Sequence, residues 1–177
     1  TGSNPFILPI PGNNLTGVLA YRDMADTQAM IDAAATYQHA VVIGGGLLGL
    51  EAANGLMKRG MKVHVVHVMP TLMERQLDTQ AGKMLQQSLQ ARGMGFLMGA
   101  QTQELVAGDD GRVKAVRFKD GSEVAADLVV MAVGIRPNTA LAEAMKLHVN
   151  RGIVVNDTLQ TTTDPRIYAV GECAAHR

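Results

Sequence analysis

Hydrophobic residues in this chain follow two patterns that alternate along the sequence. Short runs rich in apolar and β-branched residues, typical of buried strands of a parallel sheet, lie at residues 40–43, 62–68, 95–98 and 127–134. Apolar residues with helical spacing, bounded by a capping residue or a glycine, lie at residues 23–37, 47–58 and 78–92. The alternation predicts β-α-β units around a parallel sheet.

A different pattern interrupts these units. Three short segments of strand character, joined by the turn sequences GDDG and KDG, lie at residues 101–107, 112–118 and 122–125. They predict an antiparallel meander, so the expected fold class is α/β: a Rossmann-like parallel sheet with helices on the faces and an inserted antiparallel β-meander. Outside this core, a Pro- and Gly-rich loop, a short helix and two strands are predicted at residues 1–17, 139–146, 153–156 and 167–170.

The stretch VVIGGGLLGLE, residues 41–51, joins the first buried strand to the helix that follows it. Gly44, Gly46 and Gly49 fit the pattern G-x-G-x-x-G at this turn. In that pattern the first glycine permits a tight turn, the second lets backbone amides approach a pyrophosphate, and the third lets helix and strand pack closely. The stretch therefore predicts a dinucleotide-binding turn, with the phosphates at the helix N-terminus.

Three polar residues near this turn have open interpretations. Glu51 is predicted in the first turn of the helix, where it either interacts with the helix dipole or lies near a nicotinamide. His67 stands where an acidic residue usually bonds the ribose, about 20 positions after the glycines. A neutral imidazole can bond a hydroxyl, whereas a protonated one, or Arg75, favours a 2′-phosphate; alternatively His67 contacts only solvent. The sequence leaves NAD and NADP both open.

Composition excludes several classes of function. Lys plus Arg and Asp plus Glu each number 16, and aromatic residues make up 3%, so no nucleic-acid partner is expected. No apolar run reaches the ~20 residues of a membrane span, so no membrane partner is expected. The single cysteine, Cys173, excludes an internal disulfide, is expected to be a small buried residue, and suits the cytoplasm. The histidines show no metal-ligand spacing.

Several sequence segments carry a family resemblance. They are TGSNP at 1–5, the glycine stretch at 41–51, VVMAVGIRPN at 129–138 and TTTDPRIYAVGECA at 161–174. Together they resemble the FAD-dependent pyridine nucleotide-disulfide oxidoreductases. Two further segments, at residues 65–78 and 151–161, resemble the branch that contains the large subunits of bacterial assimilatory NAD(P)H nitrite reductases. Ferredoxin and rubredoxin reductases share much of the pattern.

The resemblance implies one NAD(P)H-binding domain, with its core at about 38–149, flanked by pieces of a parent FAD domain at 1–17 and 151–177. The implied cofactor contacts are Gly44, Gly46, Leu47, Leu48 and Gly49 at the pyrophosphate, Glu51 beside the nicotinamide, Gly134 as a backbone contact to the cofactor, and Gly171 and Glu172 at the flavin ribityl chain. Glu172 stands where Asp is common. No residue is assigned as an acid, base or nucleophile.

The implied activity is hydride transfer from NAD(P)H to FAD, followed by electron delivery to nitrite in a longer protein. The implied partners are the FAD domain and an electron-acceptor domain of the same chain. The cysteines for a redox disulfide, or for an iron–sulfur cluster with sirohaem, are missing here. The alternatives are a reductase of the ferredoxin or rubredoxin type, a simple NAD-dependent dehydrogenase, and a nucleotide sensor without chemistry.

Overall fold

A computed structural model describes residues 2–176. The strands are β1 (Ser3–Pro5), β2 (Val18–Ala20), β3 (His39–Ile43), β4 (Lys62–His67), β5 (Gly95–Met98), β6 (Thr102–Ala107), β7 (Val113–Phe118), β8 (Glu123–Ala125), β9 (Leu128–Met131), β10 (Ile135–Pro137), β11 (Val149–Asn150), β12 (Gly152–Val155) and β13 (Ala174–His176). The helices are α1 (Met24–Thr36), α2 (Leu47–Lys58), α3 (Thr79–Gln90) and α4 (Ala140–Ala144). They form two compact units, a larger one of residues 7–133 and a smaller one that combines the described residues 2–6 and 134–176.

The larger unit is built on a five-stranded sheet in the order β2-β9-β3-β4-β5, with every neighbouring pair parallel. Successive side chains of a strand point to opposite faces. On one face, Ala40 and Val42 of β3 pack in a core with Met30 of α1, Leu56 of α2 and Leu85 of α3. The three longer helices therefore cover the same face of the sheet.

An antiparallel sheet in the order β6-β7-β8 covers the other face. Val41 and Ile43 of β3 point to this side and pack in a second core with Leu105, Val116 and Val124 of the meander. The predicted fold class is thus confirmed. The structure adds that the meander replaces helices on one face. Both faces of the sheet are therefore covered, which explains why β3 is apolar from Ala40 to Ile43 and β9 is apolar throughout.

The smaller unit contains two small sheets, β1-β10 and β11-β12-β13, together with α4. β1 pairs antiparallel with β10, and β12 pairs antiparallel with β11 and parallel with β13. Its core consists of Ala142, Ile153, Val155, Ala169 and Cys173. The expectation that Cys173 is a small buried residue is confirmed, since the residue is 4% exposed.

Two strand predictions near the C-terminal end are corrected by the structure. Residues 167–170 do not form a strand: Tyr168 makes only an isolated bridge to Gln160, and the amide of Ala169 donates to the carbonyl of Leu159. Tyr168 and Val170 face outward, whereas Ala169 is buried in the core of the smaller unit. The last strand is β13, which was missed because its sequence, AAH, contains no β-branched residue. The predicted strand 127–134 ends at Met131.

Asp127 ties the starts of β3 and β9 together. Its Oδ2 accepts hydrogen bonds from the amides of His39 (2.9 Å) and Gln38 (3.2 Å). Burial raises the pKa of Asp127, but these two amides and the His39 ring outweigh burial and hold that pKa below its usual value. A carboxylate whose pKa is depressed by folding stabilises the fold above its unfolded pKa of about 3.9, and this stabilisation is lost as the pH falls through the folded value.

We expect Asp127→Ala to lower the free energy of unfolding at pH 7 by about 1 kcal/mol, because two strand-end amides lose their acceptor. The difference from the unsubstituted chain should shrink as the pH falls below about 4. Urea denaturation between pH 3 and 7 measures both effects. Asp109→Ala, in an exposed hairpin turn, is the control and should change little. An equal loss in both variants would contradict the role of Asp127.

Candidate functional site

The turn after β3 begins at Gly44, which has a backbone conformation that side chains disfavour. Its φ is +124°, and its amide donates to the carbonyl of Val66 (2.8 Å). A Cβ at this position would lie 2.2 Å from the carbonyl oxygen of Ala132. Glycine is thus required at position 44 by the fold itself, both for its φ and for the close approach of β9.

Gly49, in the first turn of α2, is required for packing. A Cβ there would lie 2.0 Å from the carbonyl oxygen of Gly44, and the residue is buried. Helix α2 therefore lies directly against the end of β3. This close helix–strand contact is the role that the sequence pattern assigned to its third glycine.

Gly46 differs from both of these glycines. It is the N-cap of α2 with an ordinary extended backbone (φ −84°, ψ −175°), and among the described residues nothing lies within 4 Å of a Cβ placed there. The fold therefore does not need glycine at position 46. An open space at this point is what a bound pyrophosphate requires.

The N-terminus of α2 also differs from those of the other long helices. Asp23 caps α1 by accepting from the amide of Asp26, and Asp78 caps α3 by accepting from the amide of Ala81. Within residues 2–176, no side chain caps the first amides of α2. Since helix N-terminal amides favour anions, this end of α2 suits a phosphate group. Leu47 and Leu48, the first two residues of α2, are exposed beside it.

Gly45 is a further constrained position of this turn, which the sequence pattern did not single out. Its amide donates to Nδ1 of His67 (3.1 Å), and its carbonyl accepts from the amide of Met73 (3.1 Å). A Cβ at Gly45 would lie 2.7 Å from the His67 ring and 2.8 Å from Leu72. The only indication in the sequence was that Gly45 is the middle one of three consecutive glycines. These contacts fix the loop after β4 to the glycine turn.

His67 is buried at the end of β4 and uses both ring nitrogens within the protein. Nδ1 accepts from Gly45, and Nε2 lies 3.0 Å from Oε2 of Glu74. The alternative that His67 contacts only solvent is therefore wrong, since the residue is 8% exposed. Glu74 was not singled out from the sequence, because it lies in an irregular loop and carries no periodic signal.

The carboxylate of Glu74 is partly exposed and anionic at neutral pH. Burial raises the pKa of Glu74, but the hydrogen bond with His67 and the residue's own backbone outweigh burial and lower that pKa below its usual value. The side chain is 30% exposed, so it is partly accessible to solvent. The end of β4 thus presents a negative charge held by a histidine.

The other two polar candidates of the larger unit, Glu51 and Arg75, are exposed. Glu51 is the fifth residue of α2, so the prediction that it lies in the first helical turn is wrong. The helix begins at Leu47 because Gly46 is its N-cap. Interaction with the helix dipole falls off beyond the first turn, which weakens that interpretation of Glu51. Arg75 lies in the loop after β4, next to Glu74 in the chain.

Gly134, Gly171 and Glu172 belong to the smaller unit. Gly134 and Gly171 both have positive φ, at 118° and 87°. The carbonyl of Gly134 accepts from the amide of Phe6 (2.9 Å). Glu172 Oε2 accepts from the hydroxyl of Ser3 (2.5 Å), a residue that is itself buried. The structure therefore brings the first and last conspicuous segments of the chain, around residues 3 and 172, into contact.

Within residues 2–176, no three His, Cys, Asp or Glu side chains come close enough together to hold a metal ion. No helix in this range has the length and apolar character needed to cross a membrane.

Comparison with known proteins gives a consistent result. Residues 1–177 match the family described as pyridine nucleotide-disulphide oxidoreductase. The chain is 61% identical to the nitrite reductase [NAD(P)H] of Bacillus subtilis (strain 168), covering 100% of this chain and 22% of that protein. It is 41% identical to the nitrite reductase (NADH) large subunit of Escherichia coli (strain K12), covering 99% and 21%. The chain thus spans about a fifth of these relatives.

A solved structure with the same fold is a ferredoxin reductase from Rhodopseudomonas palustris. The TM-score is 0.95 at 32% identity, and the match covers 99% of this chain and 43% of that one. Both units of the present chain are therefore found together in a known oxidoreductase.

Proposed function

The chain belongs to the pyridine nucleotide-disulphide oxidoreductase family, and from this premise we propose that residues 44–49 hold the pyrophosphate of NAD(P)H. The observation that carries the proposal is the open space at Gly46 beside an α2 N-terminus without a side-chain cap. Two amide-rich features, a glycine turn and a helix start, coincide there. Both favour a bound diphosphate.

The remaining residues of the larger unit orient the coenzyme in this proposal. Leu47 and Leu48 provide exposed apolar surface next to the proposed pyrophosphate site, and the exposed Glu51 of the same helix is the proposed neighbour of the nicotinamide. When bound, NAD(P)H supplies a hydride and FAD accepts it. The protein needs no acid, base or nucleophile for transfer between two cofactors. The contribution of the protein is to bind the coenzyme and to hold it in the orientation that hydride transfer requires.

We assign the smaller unit to the parent FAD-binding domain. Gly171 and Glu172 are the proposed contacts to the flavin ribityl chain, and the Ser3 hydroxyl helps to position the Glu172 carboxylate. Gly134, where the chain enters this unit, is the proposed backbone contact to a bound cofactor. In this assignment residues 7–133 carry the NAD(P)H site, and the FAD site is completed by parts of a longer chain.

An apolar surface on the smaller unit supports this assignment. Leu141, Met145, Tyr168 and Val170 are each at least half exposed, and they line a cavity of about 240 Å³. Single exposed apolar residues are normal, but a cluster of large ones marks an interaction surface. We propose that the remainder of the FAD domain packs on this cluster.

The whole protein is proposed to be a cytoplasmic nitrite reductase subunit that passes electrons from FAD to an electron-acceptor domain. The 61% identity to the B. subtilis nitrite reductase supports this over a ferredoxin-type reductase, for which the identity is 32%. Any iron–sulfur cluster and sirohaem would lie in other parts of that protein, because this chain has one cysteine.

Titration calorimetry of the chain with NADH and with FAD tests the proposal. We expect measurable NADH binding and much weaker FAD binding, because the coenzyme turn is complete in this chain and the flavin site has only its later segment. An ordered chain, verified by circular dichroism, that binds no nicotinamide coenzyme would contradict the proposed function.

A further inference from the structure

The end of β4 lacks the residue that usually recognises the adenosine ribose. In dinucleotide sites of this architecture, an acidic side chain about 20 residues after the glycines bonds the ribose 2′-hydroxyl. His67 is at that position here, and both of its ring nitrogens already have protein partners. The imidazole therefore has no nitrogen left for a ribose hydroxyl.

The two hydrogen bonds also define the tautomer of His67. The amide of Gly45 can only donate, so Nδ1 must be the unprotonated acceptor. The proton of the neutral ring is then on Nε2, from which it is donated to Oε2 of Glu74 at 3.0 Å. His67 thus connects the glycine turn to a carboxylate and orients that carboxylate.

We propose, on the basis of the function proposed above, that Glu74 is the ribose acceptor and that the chain selects NADH over NADPH. A carboxylate has about four lone-pair positions, and the bond with His67 uses one of them. The 30% exposure of the side chain leaves acceptor positions accessible from solvent. In this proposal the ribose acceptor lies in the loop after β4 and not at the end of the strand, and His67 is the positioning residue.

The same carboxylate disfavours a phosphorylated ribose. A 2′-phosphate placed where the hydroxyl binds would bring two anions together, which is a repulsive element of specificity. Arg75 is the opposing feature, because it adjoins Glu74 in the chain and carries a positive charge. Both residues are exposed, but the Glu74 carboxylate is held in place by His67. Glu74 should therefore dominate the choice of coenzyme.

The test is the ratio of NADPH to NADH dissociation constants for the full chain, measured by titration calorimetry. We expect the unsubstituted chain to bind NADH at least about tenfold more tightly than NADPH, as a hydrogen bond to a charged acceptor allows. Glu74→Gln should weaken NADH binding and bring the ratio close to one. Glu104→Gln is the matched control, since Glu104 likewise contacts a basic side chain, Arg117, and its side chain is 29% exposed; its ratio should not change.

The outcomes separate this inference from the proposed function. If the chain binds neither coenzyme, the proposed function itself fails. If it binds both coenzymes but prefers NADPH, or if Glu74→Gln leaves the ratio unchanged, the role of Glu74 is overturned while coenzyme binding stands. A selective loss of NADPH binding in Arg75→Gln, with NADPH the preferred coenzyme, would transfer the specificity to Arg75.

A double-mutant cycle tests the positioning role of His67. His67→Phe keeps a ring but removes both nitrogens, so it should lower the preference for NADH as Glu74→Gln does. The variant with both substitutions should have a preference for NADH no lower than that of either single variant, because both substitutions remove the same interaction. Additive effects on the ratio in folded variants would show that His67 does not act through Glu74.

Discussion

Gly46→Val is expected to fold like the unsubstituted chain and to bind NADH at least about 100-fold more weakly. The valine side chain would project into space that the proposed pyrophosphate occupies, while the backbone at position 46 (φ −84°, ψ −175°) is one that valine adopts readily. Each hydrogen bond to a charged group contributes about 1.5–3 kcal/mol, so losing two of them accounts for this reduction.

Gly55→Val is the control for this substitution. Gly55 lies in the same helix, and among the residues that the structure describes nothing is within 4 Å of a Cβ placed there. Its position is far from the helix N-terminus in sequence, so NADH affinity should be unchanged. Thermal melting monitored by circular dichroism establishes that both variants are folded before calorimetry. Unaltered affinity in a folded Gly46→Val chain would remove the pyrophosphate from this turn.

Gly49→Ala should lower the free energy of unfolding by about 3 kcal/mol. In an exposed helix interior, replacing glycine with alanine stabilises a protein by up to about 1 kcal/mol. At position 49 the added Cβ would lie 2.0 Å from the carbonyl oxygen of Gly44, which is backbone and cannot move aside. Overpacking of this kind costs about 1–3 kcal/mol and occasionally more.

Urea denaturation of Gly49→Ala beside Gly55→Ala measures this difference. Gly55→Ala removes a glycine from the same helix in open space, so it should be slightly more stable than the unsubstituted chain. Opposite signs for the two substitutions would separate close packing from helix propensity. A stabilised Gly49→Ala variant would mean that α2 does not rest on the end of β3.

Substitutions at the three glycines of one motif thus have distinct expected consequences. Gly44 and Gly49 serve the fold, through a positive φ at Gly44 and through a backbone contact at Gly49, whereas Gly46 serves the ligand. A loss of binding at Gly46 without a loss of stability would be evidence for a ligand site. A loss of binding at Gly44 or Gly49 would not be such evidence, because substitution there also distorts and destabilises the fold.

Local sequence determined most of the fold. The buried strands, the three longer helices and the meander were predictable because hydrophobic periodicity and capping residues such as Asp23 and Asp78 act over a few neighbouring positions. The prediction of a strand at residues 167–170 was wrong because an apolar run forms a strand only when a partner strand is present. The outward-facing Tyr168 and Val170 belong to a loop of this chain.

The sequence by itself also determined the glycine turn, because a strand, three glycines and a helix in that order leave few other structures. Only the tertiary structure decided which glycine faces open space and which residue presents a charge at the end of β4. Gly45, His67 and Glu74 meet because the loop after β4 folds back on the turn, and Leu72 is buried there. Contacts of this kind depend on how separate segments pack, and no periodicity in the chain records them.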